Sequence, residues 1–191
     1  MRTVVFDIET KNEFKDVGSV EPAALDISVV GIHDSETDSY TTFLEEDLPK
    51  LWSILEKTDI LVGYNSDHFD IPLLNKYYHG DLSRITSIDL LREIKNSPGR
   101  RLKLDSVAEA TLGVRKSGNG LEAITWWKNG DVDRVREYCL KDVRITKDLY
   151  DYAKKHGSLK YRDLGESREI KIDTSAWNAG APHALTQSLP F

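Results

Sequence analysis

The chain has 191 residues, enough for one full-sized domain with a real core, and its apolar and charged fractions, 39% and 30%, are those of a soluble globular protein. No apolar run approaches a membrane span, no signal-peptide pattern opens the chain, and the single cysteine, Cys139, excludes a disulfide framework or a cysteine-based zinc cluster, as expected in a reducing cytoplasm. The net charge of −6 lacks the basic surplus usual for nucleic-acid binding, which weakens that class of function without excluding it.

Val4 to Thr10 reads as a β-strand of β-branched and aromatic residues. Side chains alternate on a strand, so Val4, Phe6 and Ile8 share one face and Asp7 and Glu9 the other. Two carboxylates on one face repel, and burying them is costly without a cation between them. The stretch is either an ordinary strand with one wet face or part of a divalent-metal site. A polar loop follows over residues 11–24. Ile27 to Ile32, broken by Ser28 and Gly31, and Tyr40 to Leu44 form a hairpin around the turn residues Asp34 to Asp38. Asp47 is the expected N-cap of a helix with Pro49 in its first turn and Leu48, Leu51, Trp52 and Leu55 at helical spacing. Ile60 to Tyr64 is a short, wholly apolar strand suited to the middle of a sheet. Asn65 to Leu74 is a loop running into a helix that starts at Pro72, with Asp70 as its N-cap, a role that leaves lone pairs for a second one.

Ile85 to Ile88 is a fifth strand, followed by a short helix from about Asp89. The loop from Asn96 to Lys103 gathers Arg100, Arg101 and Lys103. Leu104 to Leu112 is a helix with a Ser106…Glu109 capping box, ended by Gly113. A short helix carrying Trp126 and Trp127 stops at Gly130. Asp131 caps the longest helix, which runs to about Lys155. Most of its charges have an opposite partner three or four residues away, Asp131 with Arg134, Asp148 with Arg144 and Asp151 with Lys147 among them. Asp142 does not: its neighbours at that spacing are Tyr138, Cys139, Ile145 and Thr146. It is either a surface residue at the stripe edge or a carboxylate whose partner comes from elsewhere in the fold, with Tyr138 on the same face one turn earlier. Residues 158–173 read as a small hairpin around Gly165, and the last eighteen residues as a loose tail with Trp177 as its anchor.

Asp7, Glu9, Asp70 and Asp142 together are what a two-metal site needs. Mg²⁺ or Mn²⁺ takes oxygen ligands, and two such ions clamp the attacking and leaving oxygens of a phosphodiester. The motifs resemble those of the DEDD superfamily of 3′–5′ exonucleases, also called DnaQ-like, in its tyrosine-containing (DEDDy) branch. Phe6-Asp7-Ile8-Glu9-Thr10 resembles the first motif, Asn65-Ser66-Asp67-His68-Phe69-Asp70 the second and Tyr138-Cys139-Leu140-Lys141-Asp142 the third. Leu104 to Gly113 resembles the helix between the last two. The likeness, over roughly residues 1–155, is to stand-alone exonucleases related to the exonuclease domain of family B DNA polymerases.

The resemblance implies an α/β, RNase H-like fold: a five-stranded mixed sheet, its first three strands antiparallel, with helices on both faces. It makes residues 1–157 the exonuclease domain, with the hairpin and tail of 158–191 packed on or trailing it. It implies that Asp7, Glu9 and Asp142 ligate the tighter of two divalent ions, that Asp7 and Asp70 hold the second, and that Tyr138 positions the attacking water. The expected activity is hydrolysis of single-stranded DNA or RNA from the 3′ end in the cytoplasm. An RNase H-like endonuclease and a non-catalytic binding module are the alternatives. Single strands bind through basic groups and aromatic platforms, which makes Asn65, Phe69, Arg100, Arg101 and Trp127 the candidate substrate contacts. For Trp126 and Trp127 packing is the competing role, and at most one can face the core squarely. His68 is expected to be a loop residue.

Overall fold

The computed structural model describes residues 1–95, 101–114, 120–163 and 165–178. In chain order the elements are β1 (Thr3–Thr10), α1 (Phe14–Val17), β2 (Ile27–Asp34), β3 (Ser39–Leu44), α2 (Leu48–Leu55), β4 (Ile60–Gly63), α3 (Asp70–Asn75), β5 (Thr86–Asp89), α4 (Leu90–Lys95), α5 (Leu104–Leu112), α6 (Gly120–Lys128), α7 (Val132–His156), β6 (Ser158–Asp163) and β7 (Glu166–Lys171). Strands β1 to β5 form one mixed sheet in the order β3-β2-β1-β4-β5. The first three are antiparallel, and β4 and β5 run parallel to β1. Parallel neighbours need a crossover, which α2 provides between β3 and β4. This is the five-stranded mixed sheet expected from the sequence.

Strand alternation splits the core in two. Val4, Phe6 and Ile8 of β1 pack with Leu61 of β4 and with Leu51, Leu55, Leu73 and Leu74 of α2 and α3. Val5 points the other way, with Ile60 and Val62, into a cluster with Val107 of α5 and Val143, Leu149 and Ala153 of α7. Asp7 and Glu9 follow the parity of Val5, so the sheet presents them to α7. That helix has 25 residues and is about 37 Å long at 1.5 Å per residue.

Gly31 sets how closely α7 approaches. It lies opposite Asp7 in the β1–β2 register. A Cβ there would stand 2.8 Å from Cys139 Sγ and 3.1 Å from a Val143 methyl. The glycine that interrupts the apolar run of β2 is thus a seat for α7.

The β6–β7 hairpin packs Leu159, Tyr161 and Ile170 against the α7 side of the core. Thr111 of α5 ties down β6, its hydroxyl accepting from the Lys160 amide at 2.9 Å. The hairpin ends at Lys171, two residues short of the expected 173, because pairing runs from Ser158 opposite Lys171 to Asp163 opposite Glu166. Trp177 is buried and stacked on Tyr150 at 5.3 Å, as an anchor should be.

The helix caps differ from expectation. The α5 N-cap is Lys103, so Ser106 sits inside the helix and forms no capping box. Asp47 and Asp131 hold the N-cap positions of α2 and α7 but make no side-chain cap bond; the Asp47 carboxylate takes Lys50 instead. On α7 the Lys147–Asp151 pair closes at 2.7 Å, whereas the Arg134 and Arg144 guanidinium groups lie over aromatic rings. Among the described residues no helix is long and apolar enough to cross a membrane.

Candidate active site

Strand β1 delivers Asp7 and Glu9 to the end of the sheet where α7 crosses it. Asp7, Glu9 and Asp142 each offer one carboxylate oxygen, and the three oxygens lie within 4.8 Å of one another. Glu9 and Asp142 are buried, at 7% and 4% exposure. Cys139 joins the two elements, its Sγ 3.4 Å from the Asp7 carbonyl oxygen and 3.8 Å from Asp7 Oδ2. Burial, then the charges of Asp7, Glu9 and Asp142, push its thiol well up, so it stays a neutral donor beneath the acids.

Asp70 borders the same pocket from the third side. It is not the N-cap expected of it: Phe69 holds that position, and Asp70 is the buried first residue of α3. Burial, then the charge of Asp89, push its carboxyl up to about 8, against the opposing pull of the Asp70 and Ile8 amides. Tyr138, buried one turn before Asp142, lines the pocket too, together with Asn65 and Phe69. The pocket holds about 240 Å³.

The loop between β4 and α3 that leads into Asp70 is held by Asp89, which is not among the candidates named from the sequence. Asp89 Oδ1 accepts from the Asn65 amide at 2.7 Å and the Leu91 amide at 2.9 Å, and Oδ2 from the Asp67 amide at 3.2 Å. Asn65 takes a left-handed conformation, φ +67°, which asparagine tolerates better than most residues. The available signal was position: Asp89 ends β5, as Asp7 and Glu9 lie near the end of β1.

Other candidates are distributed more widely. Arg101 Nη2 donates to Asn65 Oδ1 at 2.8 Å, which brings its cation to the pocket rim. Arg100 lies outside the described residues. Trp127 is not brought to the pocket: it is half-buried, with Lys11 Nζ 5.6 Å from its ring centroid. Its neighbour Trp126 meets Tyr138 edge-on at 5.6 Å. His68 is an exposed turn residue. Phe14, unnoticed in the sequence, packs edge-to-face on Phe69 at 6.3 Å. Both line a second, more apolar cavity beside the acids, with Leu25, Leu121 and Ile124.

The donor set fits hard divalent cations. It is all carboxylate, it crowds three oxygens of like charge, and it raises the proton affinity of a fourth acid, each of which a cation would relieve.

The sequence model of the RNase_H superfamily matches residues 4–154. No curated protein matches the sequence. Among solved structures the chain is similar to the family B DNA polymerase from the hyperthermophilic archaeon Pyrobaculum calidifontis, with a TM-score of 0.62 and 21% identity. That match covers 81% of this chain and 24% of the polymerase chain, and at this identity it bears on the fold alone.

Proposed function

The chain belongs to the RNase H superfamily, and on that premise we propose that it is a metal-dependent 3′–5′ exonuclease of the DEDDy type, acting on single-stranded DNA or RNA. The observation that carries this reading is the cluster of Asp7, Glu9 and Asp142 oxygens within 4.8 Å, bordered by Asp70 and Tyr138. Asp7, Glu9 and Asp142 hold one divalent ion, and Asp7 and Asp70 the second. When bound, Mg²⁺ or Mn²⁺ stabilises charge on the phosphoryl oxygens and lowers the pKa of bound water.

The Tyr138 hydroxyl orients the attacking water, whose oxygen bonds to phosphorus as the 3′ oxygen of the penultimate nucleotide leaves. The product is a nucleoside 5′-monophosphate. Phe69, braced by Phe14, stacks on the terminal base, and sequence-tolerant stacking suits an enzyme that removes residues one at a time. Asn65 and Arg101 contact the backbone at the rim. Residues 1–157 carry the activity, and the hairpin and tail support α5 and α7.

The test is incubation of 5′-labelled single-stranded DNA and RNA of one sequence with Mg²⁺, Mn²⁺ or EDTA, beside Asp142→Ala. A ladder shortening from the 3′ end, absent in EDTA and in the variant, is expected. A circular single strand cut under the same conditions would instead make the protein an endonuclease. Intact linear substrate with either metal would overturn the reading.

A further inference from the structure

The metal pocket continues past Tyr138 into a larger groove of about 820 Å³ between α6 and α7. We propose that this groove holds the phosphodiester backbone of the single strand on the 5′ side of the scissile bond. The inference rests on the exonuclease reading for its polarity.

Three cations of α7, Arg134, Lys141 and Arg144, line the groove. Glu122 and Glu137 line it too, leaving an excess of one positive charge on a chain whose net charge is −6. A polyanion approaching the acidic centre therefore finds its favourable path along α7. From Arg134 to Arg144 is about 15 Å of helix, room for about four phosphates at the spacing of a stacked strand.

The arginines are arranged for this use. Arg134 lies over the Trp126 ring, 4.1 Å from its centroid, and Arg144 over Tyr40 at 4.9 Å. Among the described residues neither is in an ion pair. A guanidinium stacked face-on keeps its N–H edge free for a phosphate and spends its flat face on the ring. Trp126 also touches Tyr138, so the groove leads to the water-orienting residue without a break.

The two cavities beside the acids divide the substrate. The apolar one, about 240 Å³ and lined by Phe14 and Phe69, suits the terminal nucleoside, which has one base and no phosphate beyond the scissile one. The larger, cationic groove suits the remaining strand, which brings a phosphate with every nucleotide.

The test uses the full chain and the double variant Arg134→Gln/Arg144→Gln, which keeps side-chain length and removes both charges. Binding of fluorescein-labelled dT12 and U12 is measured in EDTA by anisotropy across a salt series. Losing two phosphate contacts should lower the slope of log K against log salt by about 1.4 and weaken low-salt binding about tenfold. Hydrolysis of dT12 and of the dinucleotide TpT is then followed with metal. The variant should lose kcat/KM on dT12 alone, through KM, because TpT does not reach the groove.

Unchanged slope and affinity would overturn the groove, and an active wild type would show that the exonuclease reading survives it. An equal loss on dT12 and TpT would also overturn it, because the arginines would then act through Trp126 on Tyr138. A wild type that cuts neither substrate, yet shows the binding difference, would keep the groove as a nucleic-acid site and remove the exonuclease reading. Arg144→Glu alone, far from the Trp126 contact, guards against a folding artefact and should weaken dT12 binding on its own.

Discussion

At one end of the central sheet the buried Asp34, last residue of β2, faces Arg2, whose Nε and Nη2 reach its two oxygens at 3.0 and 2.6 Å. At the other end Asp70 faces Asp89 and borders the cluster of Asp7, Glu9 and Asp142. Burial raises the proton affinity of both carboxyls. For Asp34 the Arg2 guanidinium and the Glu36 amide outweigh burial, and its pKa falls below the ordinary value. For Asp70 a second carboxylate adds to burial, and its pKa climbs to about 8. The first site is completed by the chain itself and serves as a strut. The second is built from like charges, at a cost in stability that a bound cation would relieve.

The sharpest break in that comparison is exchange of roles by substitution. Asp142→Asn should reduce cleavage by more than about 100-fold, the upper end for residues that merely support a metal site, while thermal stability in EDTA holds or rises. Asp34→Ala should do the reverse. It strands the half-buried Arg2 with Glu36 alone and should cost about 3 kcal/mol in urea unfolding, with cleavage retained wherever the protein is folded. A metal-site variant that unfolds the protein, or an Asp34 variant that abolishes cleavage at full stability, would contradict the division.

The two ends should also answer pH with opposite sign. The Asp70 pKa is raised on folding, so its contribution to stability is full below the unfolded value of about 4 and is lost as pH rises towards 8. The Asp34 pKa is lowered, so its contribution is present above the unfolded value and lost as pH falls through the folded one. Metal-free protein should therefore lose stability between pH 4 and 8, and Mn²⁺ should flatten that slope. Asp70→Asn should abolish the slope in EDTA; a slope that persists in the variant assigns it to another group.

Smaller effects concern how the acidic end is held. Asp89→Asn keeps an acceptor for the Asn65 amide but weakens the loop, and should raise the metal concentration for half-maximal activity about tenfold. Gly31→Ala drives a methyl against Cys139 and should cost about 1–3 kcal/mol. Adding Cys139→Ala should recover much of that loss, and a double-mutant cycle reads the coupling.

Much of the acidic end was legible in sequence because its parts are local patterns. Strand parity put Asp7 and Glu9 on one face, and Asp142 stood out on a helix whose other charges had partners within reach. The strands were legible for the same reason, as short apolar runs between turns. Asp89 was not, because its role consists of backbone amides 22 and 24 residues away, which no spacing encodes. Arg134 and Arg144 were misread as partners of Asp131 and Asp148, because tertiary neighbours offered them aromatic rings instead. Helix α5 spans Leu104 to Leu112 as expected, but its N-cap is Lys103, so Ser106 lies inside the first turn and the capping box with Glu109 does not form.

The contact between Cys139 and Asp7 spans 132 residues of sequence. During synthesis β1 therefore leaves the ribosome long before α7 exists to meet it. At about 5–20 residues per second that interval is on the order of ten seconds, in which the β1–β3 meander can pair but the ligand set is incomplete. A nascent chain stalled before α7 carries Asp7, Glu9 and Asp70 without Asp142. Competence arrives late and all at once, when the last long helix closes over the sheet.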